Sequence, residues 1–349
     1  MRDRDPAPRL DLISDPEEVR RVVTTLMCAD SDSLPRVADA GALVERDGVK
    51  LQVMHNGLLI EEGGYFGRWM TEIIRSAHGV HEPQEEVVFD RVIRELVNTG
   101  GTPTMIEFGS NWTYYGMWFA KSLPEGRVVA MEPDPDSFEL GRRNARINRL
   151  EDRIHFVRGA VGADVGELLT LNADADAREY EVPQHDLASL MAESGLDHVD
   201  LILVDIQGAE TVLLKRALAD FAAGRVRFAI ISTHHHSISG DPLTHQNALV
   251  LLRDVGAHVI AEHTVSESYS GDGLIAVSFD PRDRGVTVPV SFARAKESLF
   301  GEVNFDLARA LTEARVAESE LTRLRNTKLF RLSAPARSFY GRIRRRPRS

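Results

Sequence analysis

Five short stretches carry residue types that can grip a ligand or move a proton. Glu107-Phe108-Gly109-Ser110-Asn111-Trp112 ends an apolar run and leads at once into a helical pattern. A glycine at such a strand-to-helix turn lets the main chain approach a ligand, and the helix start adds N–H groups and the positive end of a dipole. The Gly-x-Gly-x-x-Gly fingerprint of a pyrophosphate turn is missing. Glu132 stands 25 positions after Glu107, at the end of the next apolar run. An acid alone there would be a helix cap. One strand–helix unit after a glycine turn, however, it is placed to accept two hydrogen bonds from a nucleoside ribose.

Arg158-Gly159-Ala160-Val161 follows a third run, and its small residues would leave room for a flat base or simply make a turn. A fourth run, Val199–Val204, delivers Asp205, and a fifth ends in His234-His235-His236. Side chains alternate across a strand, so at least one of these rings enters the crevice beyond the strand ends. Imidazole titrates near neutrality and suits a general base. His235 is the first candidate, with His234 or His236 as substitutes and Asp205 orienting the base or the acceptor. A metal held by Asp205 and two histidines competes with this reading. No second ligand pattern supports it, and no metal site is assigned.

These residues need a scaffold that brings strand ends together. After Pro103, strands are expected at 104–108, 127–132, 154–158, 199–205, 227–233, 257–263 and 274–279, with helices after the first five. Repeated strand–helix units imply a mostly parallel sheet covered on both faces, with the ligand beyond the carboxyl ends. The last two strands are too close for a crossover and should form an antiparallel hairpin. Residues 1–100 read as an α/β extension: a helix opened by Asp15-Pro16, a β-meander over 42–62, and helices near 66–76 and 83–98. His81-Glu82-Pro83-Gln84-Glu85-Glu86 reads as acids favouring a helix N-terminus, or as a cover over the crevice. Residues 101–282 form the principal domain. Residues 283–349 hold a linker, a helix with Leu307, Leu311, Ala314, Ala317, Leu321 and Leu324 on a narrow seam, and a basic tail.

Composition bounds the partners. The 349 residues are 43% hydrophobic, which fits a core-forming globular chain. A formal charge of −11 argues against nucleic acid as the principal partner. Residues 322–349 carry ten Arg or Lys and no acid, leaving −21 on the rest. Such a tail suits peripheral contact with an anionic membrane or an acidic partner, or plain solvation. The single cysteine, Cys28, fits a reducing compartment, and neither a secretory leader nor a spanning stretch is visible, so a cytoplasmic location is expected, with the tail peripheral at the inner membrane face.

Residues 104–279 resemble the FkbM-type S-adenosylmethionine-dependent methyltransferases. The resemblance rests on Ile106-Glu107-Phe108-Gly109-Ser110-Asn111-Trp112, on Met131-Glu132-Pro133-Asp134-Pro135 followed by Asn144 and Asn148, and on Val199 through Asp205-Ile206-Gln207-Gly208-Ala209-Glu210. It spans about half the chain. Upstream, Met54-His55-Asn56-Gly57 and His81–Glu86 look similar to the leader of one branch of that family, and Lys328–Arg337 looks like tails of bacterial glycan-assembly enzymes. The resemblance implies a class I methyltransferase fold, Rossmann-type, with a seven-stranded sheet and one antiparallel hairpin. It implies S-adenosyl-L-methionine as cofactor, with Glu107, Gly109, Ser110 and Asn111 near its methionine part, Glu132 on the ribose, Gly159 and Ala160 near the adenine, and Asp205 closing the crevice. The expected reaction is O-methylation of a sugar, glycan or related small-molecule acceptor. A non-catalytic glycan-assembly subunit and a nicotinamide-dependent oxidoreductase are the alternatives. Two positions depart from the family pattern: Trp112-Thr113 replaces x-Gly after Asn111, and Gln207 replaces a glutamate.

Overall fold

The computed structural model describes residues 7–173, 178–293 and 303–327. Two compact units result, Met1–Ala293 and Arg294–Ser349. The first begins with helix α1 (Pro16–Thr25), capped by the Asp15 carboxylate on the Glu17 N–H. A meander of β1 (Leu43–Arg46), β2 (Val49–Val53) and β3 (Leu59–Glu61) follows, then α2 (Gly67–Ser76) and α3 (Pro83–Thr99).

From Pro103 the chain alternates β4 (Thr104–Phe108), α4 (Tyr114–Ser122), β5 (Arg127–Met131), α5 (Pro135–Ile147) and β6 (Ile154–Val157). The next three strands, β7 (Ala160–Val161), β8 (Leu168–Asn172) and β9 (Glu179–His185), make a separate small sheet in the order β7-β9-β8. Sequence reasoning expects only a turn and a helix here. The period-two pattern that would reveal it is short: Leu169 and Leu171 are half-buried between exposed neighbours. The main chain then resumes with α6 (Leu187–Glu193), β10 (Val199–Val204), α7 (Glu210–Ala222), β11 (Val226–Thr233), α8 (His236–Ser239), α9 (Thr244–Asp254), β12 (His258–His263) and β13 (Gly273–Ser278).

The large sheet has the order β12-β13-β11-β10-β4-β5-β6. Its β11, β10, β4, β5 and β6 run parallel, and β13 is antiparallel to both β11 and β12. This is the class I methyltransferase arrangement. Alternation splits each strand between two cores. Met105, Val128, Ala130, Leu201, Leu203, Phe228 and Ile230 pack with residues of α2, α3 and α4, while Ile106, Phe108, Val129, Ile202, Val204 and Ile231 pack with α6, α7 and α9. Both faces being covered explains why these strands read as apolar runs rather than alternating ones.

The N-terminal elements are tied to the sheet by polar contacts as well as by shared core. Asn144 Oδ1 accepts the Glu61 N–H at 3.0 Å and Asn148 Oδ1 accepts the Leu59 N–H at 2.9 Å, docking β3 on α5. Ser232 Oγ donates to Glu85 Oε2 at 2.7 Å, docking α3 on the end of β11.

The second unit contains α10 (Val303–Arg325), on which Leu307, Leu311, Leu321 and Leu324 are exposed. The basic tail from Lys328 onward lies outside the described residues. Among the described residues no helix is long and apolar enough to cross a membrane.

Candidate functional site

The parallel sheet reverses its winding between β4 and β10, the neighbours from which the chain leaves toward opposite sides. The turns after these two strands touch. Gly109 adopts φ +75°, and a Cβ there would fall 1.7 Å from the Asp205 carbonyl oxygen, so only glycine fits. Its N–H and that of Ser110 both donate to the Met131 carbonyl at 2.9 Å, binding the turn to the end of β5.

Beyond these turns lies a cavity of about 570 Å³, a volume that suits a small-molecule site. It brings together Glu107, Gly109, Ser110, Asn111, Glu132, Ala160, Asp205 and His234 from the expected set. Glu132 is buried, with Oε2 accepting the Asn111 N–H at 2.7 Å and Oε1 the Asp134 N–H at 2.9 Å. Ser110 is 3% exposed, and its Oγ has no hydrogen-bond partner. Glu107 accepts the Gly116 N–H at 3.1 Å; burial pushes its carboxyl well above the usual range, and Glu132 and Asp205 add to that.

Three expected residues are placed elsewhere. His235 caps α8, is exposed, and turns its Nδ1 to Ser237 Oγ at 2.8 Å, with its ring 3.9 Å from that of His236. Neither ring lines the cavity, because the chain leaves β11 at Thr233 and the strand alternation ends there. The histidine that enters is therefore His234, not the first choice, His235. Gly159 also lies off the cavity wall: a Cβ there would meet the His185 ring at 2.6 Å, so its small size serves packing.

His234 is held between two carboxylates. Its Nδ1 donates to Glu210 Oε1 at 2.7 Å and its Nε2 to Asp205 Oδ1 at 3.1 Å. Burial works against its charge, but those hydrogen bonds outweigh it and hold the imidazole up at about 11. It is an imidazolium near neutral pH, a donor and not a base. Glu210 ended the quoted motif, yet its role as the clamp on His234 was not legible without the contact.

The extension completes the cavity: His81 and Glu82, from the segment read as helix-start acids or as a cover over the crevice, line it. His81 donates from Nδ1 to Glu86 Oε1 at 2.6 Å and from Nε2 to Glu82 Oε2 at 3.1 Å. Burial opposes its charge, and Glu82 and Glu86 override that and raise it to about 10. Around it stand Tyr65, Trp112 and Tyr114, with ring centroids 5.8, 5.0 and 5.1 Å away. Trp112 stacks on Tyr65 at 4.5 Å and so joins the turn to the extension. Thr113, which stands where the family pattern has glycine, sits at φ +60°, a conformation in which glycine is at ease. It fits because position 141 is glycine: a Cβ there would come 2.3 Å from Thr113 Oγ1.

Residues 99–263 match the family model of the methyltransferase FkbM domain. Such methyltransferases use S-adenosylmethionine, the cofactor expected above, and the match takes a methyltransferase over a nicotinamide oxidoreductase. Among solved structures, the chain is similar to a METTL16 methyltransferase domain (17% identity over 66% of this chain and 87% of that one, TM-score 0.41). It is also similar to precorrin-6y C5,15-methyltransferase from Geobacter metallireducens GS-15 (14% identity, 54% and 86% covered, TM-score 0.34). The human methyltransferase 10 domain containing protein is a third (18% identity, 56% and 83% covered, TM-score 0.37). Nothing matches among curated proteins.

Proposed function

We propose that the chain transfers a methyl group from S-adenosylmethionine to an oxygen nucleophile, a hydroxyl of a sugar, glycan or related small-molecule intermediate. One observation carries this reading. A single cavity is lined both by the Gly109 turn with Glu132 and by an aromatic, charged group from the extension, Arg21, Tyr65, Phe66 and Trp69. The first group suits an adenosyl ligand and the second a polar ring. Phe66 is 50% exposed and offers a face on which a sugar can stack.

In this reading, Glu132 holds the ribose diol. Its Oε2 accepts the Asn111 N–H and its Oε1 the Asp134 N–H, so the carboxylate is fixed by backbone groups at the cavity wall. Ser110 Oγ meets a polar group of the methionine part, and Ala160 leaves space beside the base. S-adenosylmethionine supplies the methyl group on a positively charged sulfur. The chain aligns the acceptor, since in-line displacement depends chiefly on positioning. His234, already protonated, orients Asp205 through its Nε2–H, and the Asp205 carboxylate takes the hydroxyl proton.

Incubation with methyl-labelled cofactor and an extract of sugar intermediates tests this. Label should enter an acceptor with the wild-type chain and fall at least tenfold with Asp205→Asn. Unlabelled extract with the wild type would instead fit a non-catalytic assembly subunit. The basic tail is proposed to contact anionic membrane or an acidic partner; salt-sensitive binding to anionic vesicles should disappear on truncation after Thr322, and equal binding of both forms would dismiss it.

A further inference from the structure

The cavity holds more carboxyl groups than ribose recognition needs. Asp272 follows the loop after β12, one residue before β13. The antiparallel register pairs Thr233 with Gly273, which sets Asp272 across from His234, its Oδ1 3.8 Å from Nε2. Asp205, Asp272 and Glu82 all line the cavity, with Asp272 one-third exposed into it. Ser110 Oγ, buried and without a hydrogen-bond partner, lines the same space. Charged groups face Asp272 from four elements: His234 after β11, Asp205 after β10, Glu82 before α3 and Arg21 on α1.

We propose that Asp272, with Asp205 and Glu82, forms a charge-sensing wall that takes up the sulfonium cofactor with loss of a proton and the neutral thioether product without one. This rests on the methyl-transfer reading above. The two ligands share their adenosine, amino and carboxylate groups and differ at sulfur by one methyl and one positive charge. Burial pushes Asp272 up to about 7, with Asp205 and Glu82 adding to it against the pull of His234 and Arg21. A ligand cation reverses that balance and ionises the carboxyl. Cofactor affinity then rises with pH up to about 7 and levels off above it, while product affinity lacks that rise. After transfer the charge at sulfur is gone, the wall recovers a proton, and the product loses the attraction that held its precursor.

Calorimetry of the full chain with S-adenosylmethionine and S-adenosylhomocysteine, in two buffers of different ionisation enthalpy at pH 6 and pH 8, counts the protons. At pH 6 the methionine ligand should release more protons than the homocysteine ligand, and at pH 8 the difference should vanish. Asp272→Asn, checked for folding by circular dichroism and denaturant unfolding, should lose the difference at both values. Glu82→Gln should move its midpoint to lower pH, and this variant decides the matter if Asp272→Asn does not fold. Equal proton counts for the two ligands in the wild type, or a difference that survives Asp272→Asn, would overturn the inference and leave the cofactor assignment standing. Failure of both ligands to bind would remove that assignment and the inference with it.

Discussion

The Asn111 N–H donates to Glu132 Oε2 across 2.7 Å, joining the turn after β4 to the acid after β5. The carboxylate is therefore oriented before any ligand arrives, by a backbone group that cannot swing away. Preorganisation of this kind lowers what binding must spend on ordering side chains.

Glu132→Ala removes that oriented acceptor. S-adenosylhomocysteine affinity should fall by about 1–3 kcal/mol, roughly 5- to 150-fold in Kd. Calorimetry at constant pH checks it; unchanged affinity would detach Glu132 from the ligand.

At Gly109, a Cβ would overlap the Asp205 carbonyl oxygen on a backbone with φ +75°. Gly109→Ala should cost about 2–4 kcal/mol in stability and abolish measurable cofactor binding. Denaturant unfolding and calorimetry on the same preparation separate the two effects.

Thr113 and Gly141 should be coupled. Gly141→Ala drives a methyl toward Thr113 Oγ1 and the Asn111 carbonyl oxygen. It should destabilise the wild type, whereas in a Thr113→Gly background much of that loss should disappear, a coupling of about 1–2 kcal/mol in a double-mutant cycle. Additivity of the two substitutions would show that Gly141 has another reason to be small.

The two histidines should behave oppositely. His234→Ala leaves Glu210 and Asp205 without their shared partner, and removal of one member of a buried ion pair costs about 3–5 kcal/mol. His235→Ala, on an exposed cap, should stay within about 0.5 kcal/mol of the wild type in stability. Because the folded value for His234 is raised to about 11, above the unfolded value near 6.5, its contribution is complete below about pH 6.5. It declines as pH rises and is gone above about pH 11. Unfolding at pH 6 and pH 9 should thus show a larger penalty for His234→Ala at the lower pH.

Much of this architecture was legible in residue order. Apolar runs bounded by Gly, Pro and Asp gave the seven strands of the large sheet to within a residue or two, because a strand covered on both faces must be apolar along its length. Gly109 and Glu132 were legible because a close backbone approach and an acid at a strand end leave few residue choices. The β7-β9-β8 sheet was not, since its strands are short and only half-buried.

The sequence by itself therefore determined the parallel sheet, the glycine turn and the acid beside it, features encoded in local pattern and in the sterics of single positions. Only the tertiary structure decided which of three consecutive histidines enters the cavity, that it enters already protonated, and that His81, Glu82 and Asp272 converge there from segments far apart in the chain. The reason is physical: a side chain's direction at the end of a strand and the charge it carries depend on neighbours supplied by other elements, and no spacing along the chain specifies them.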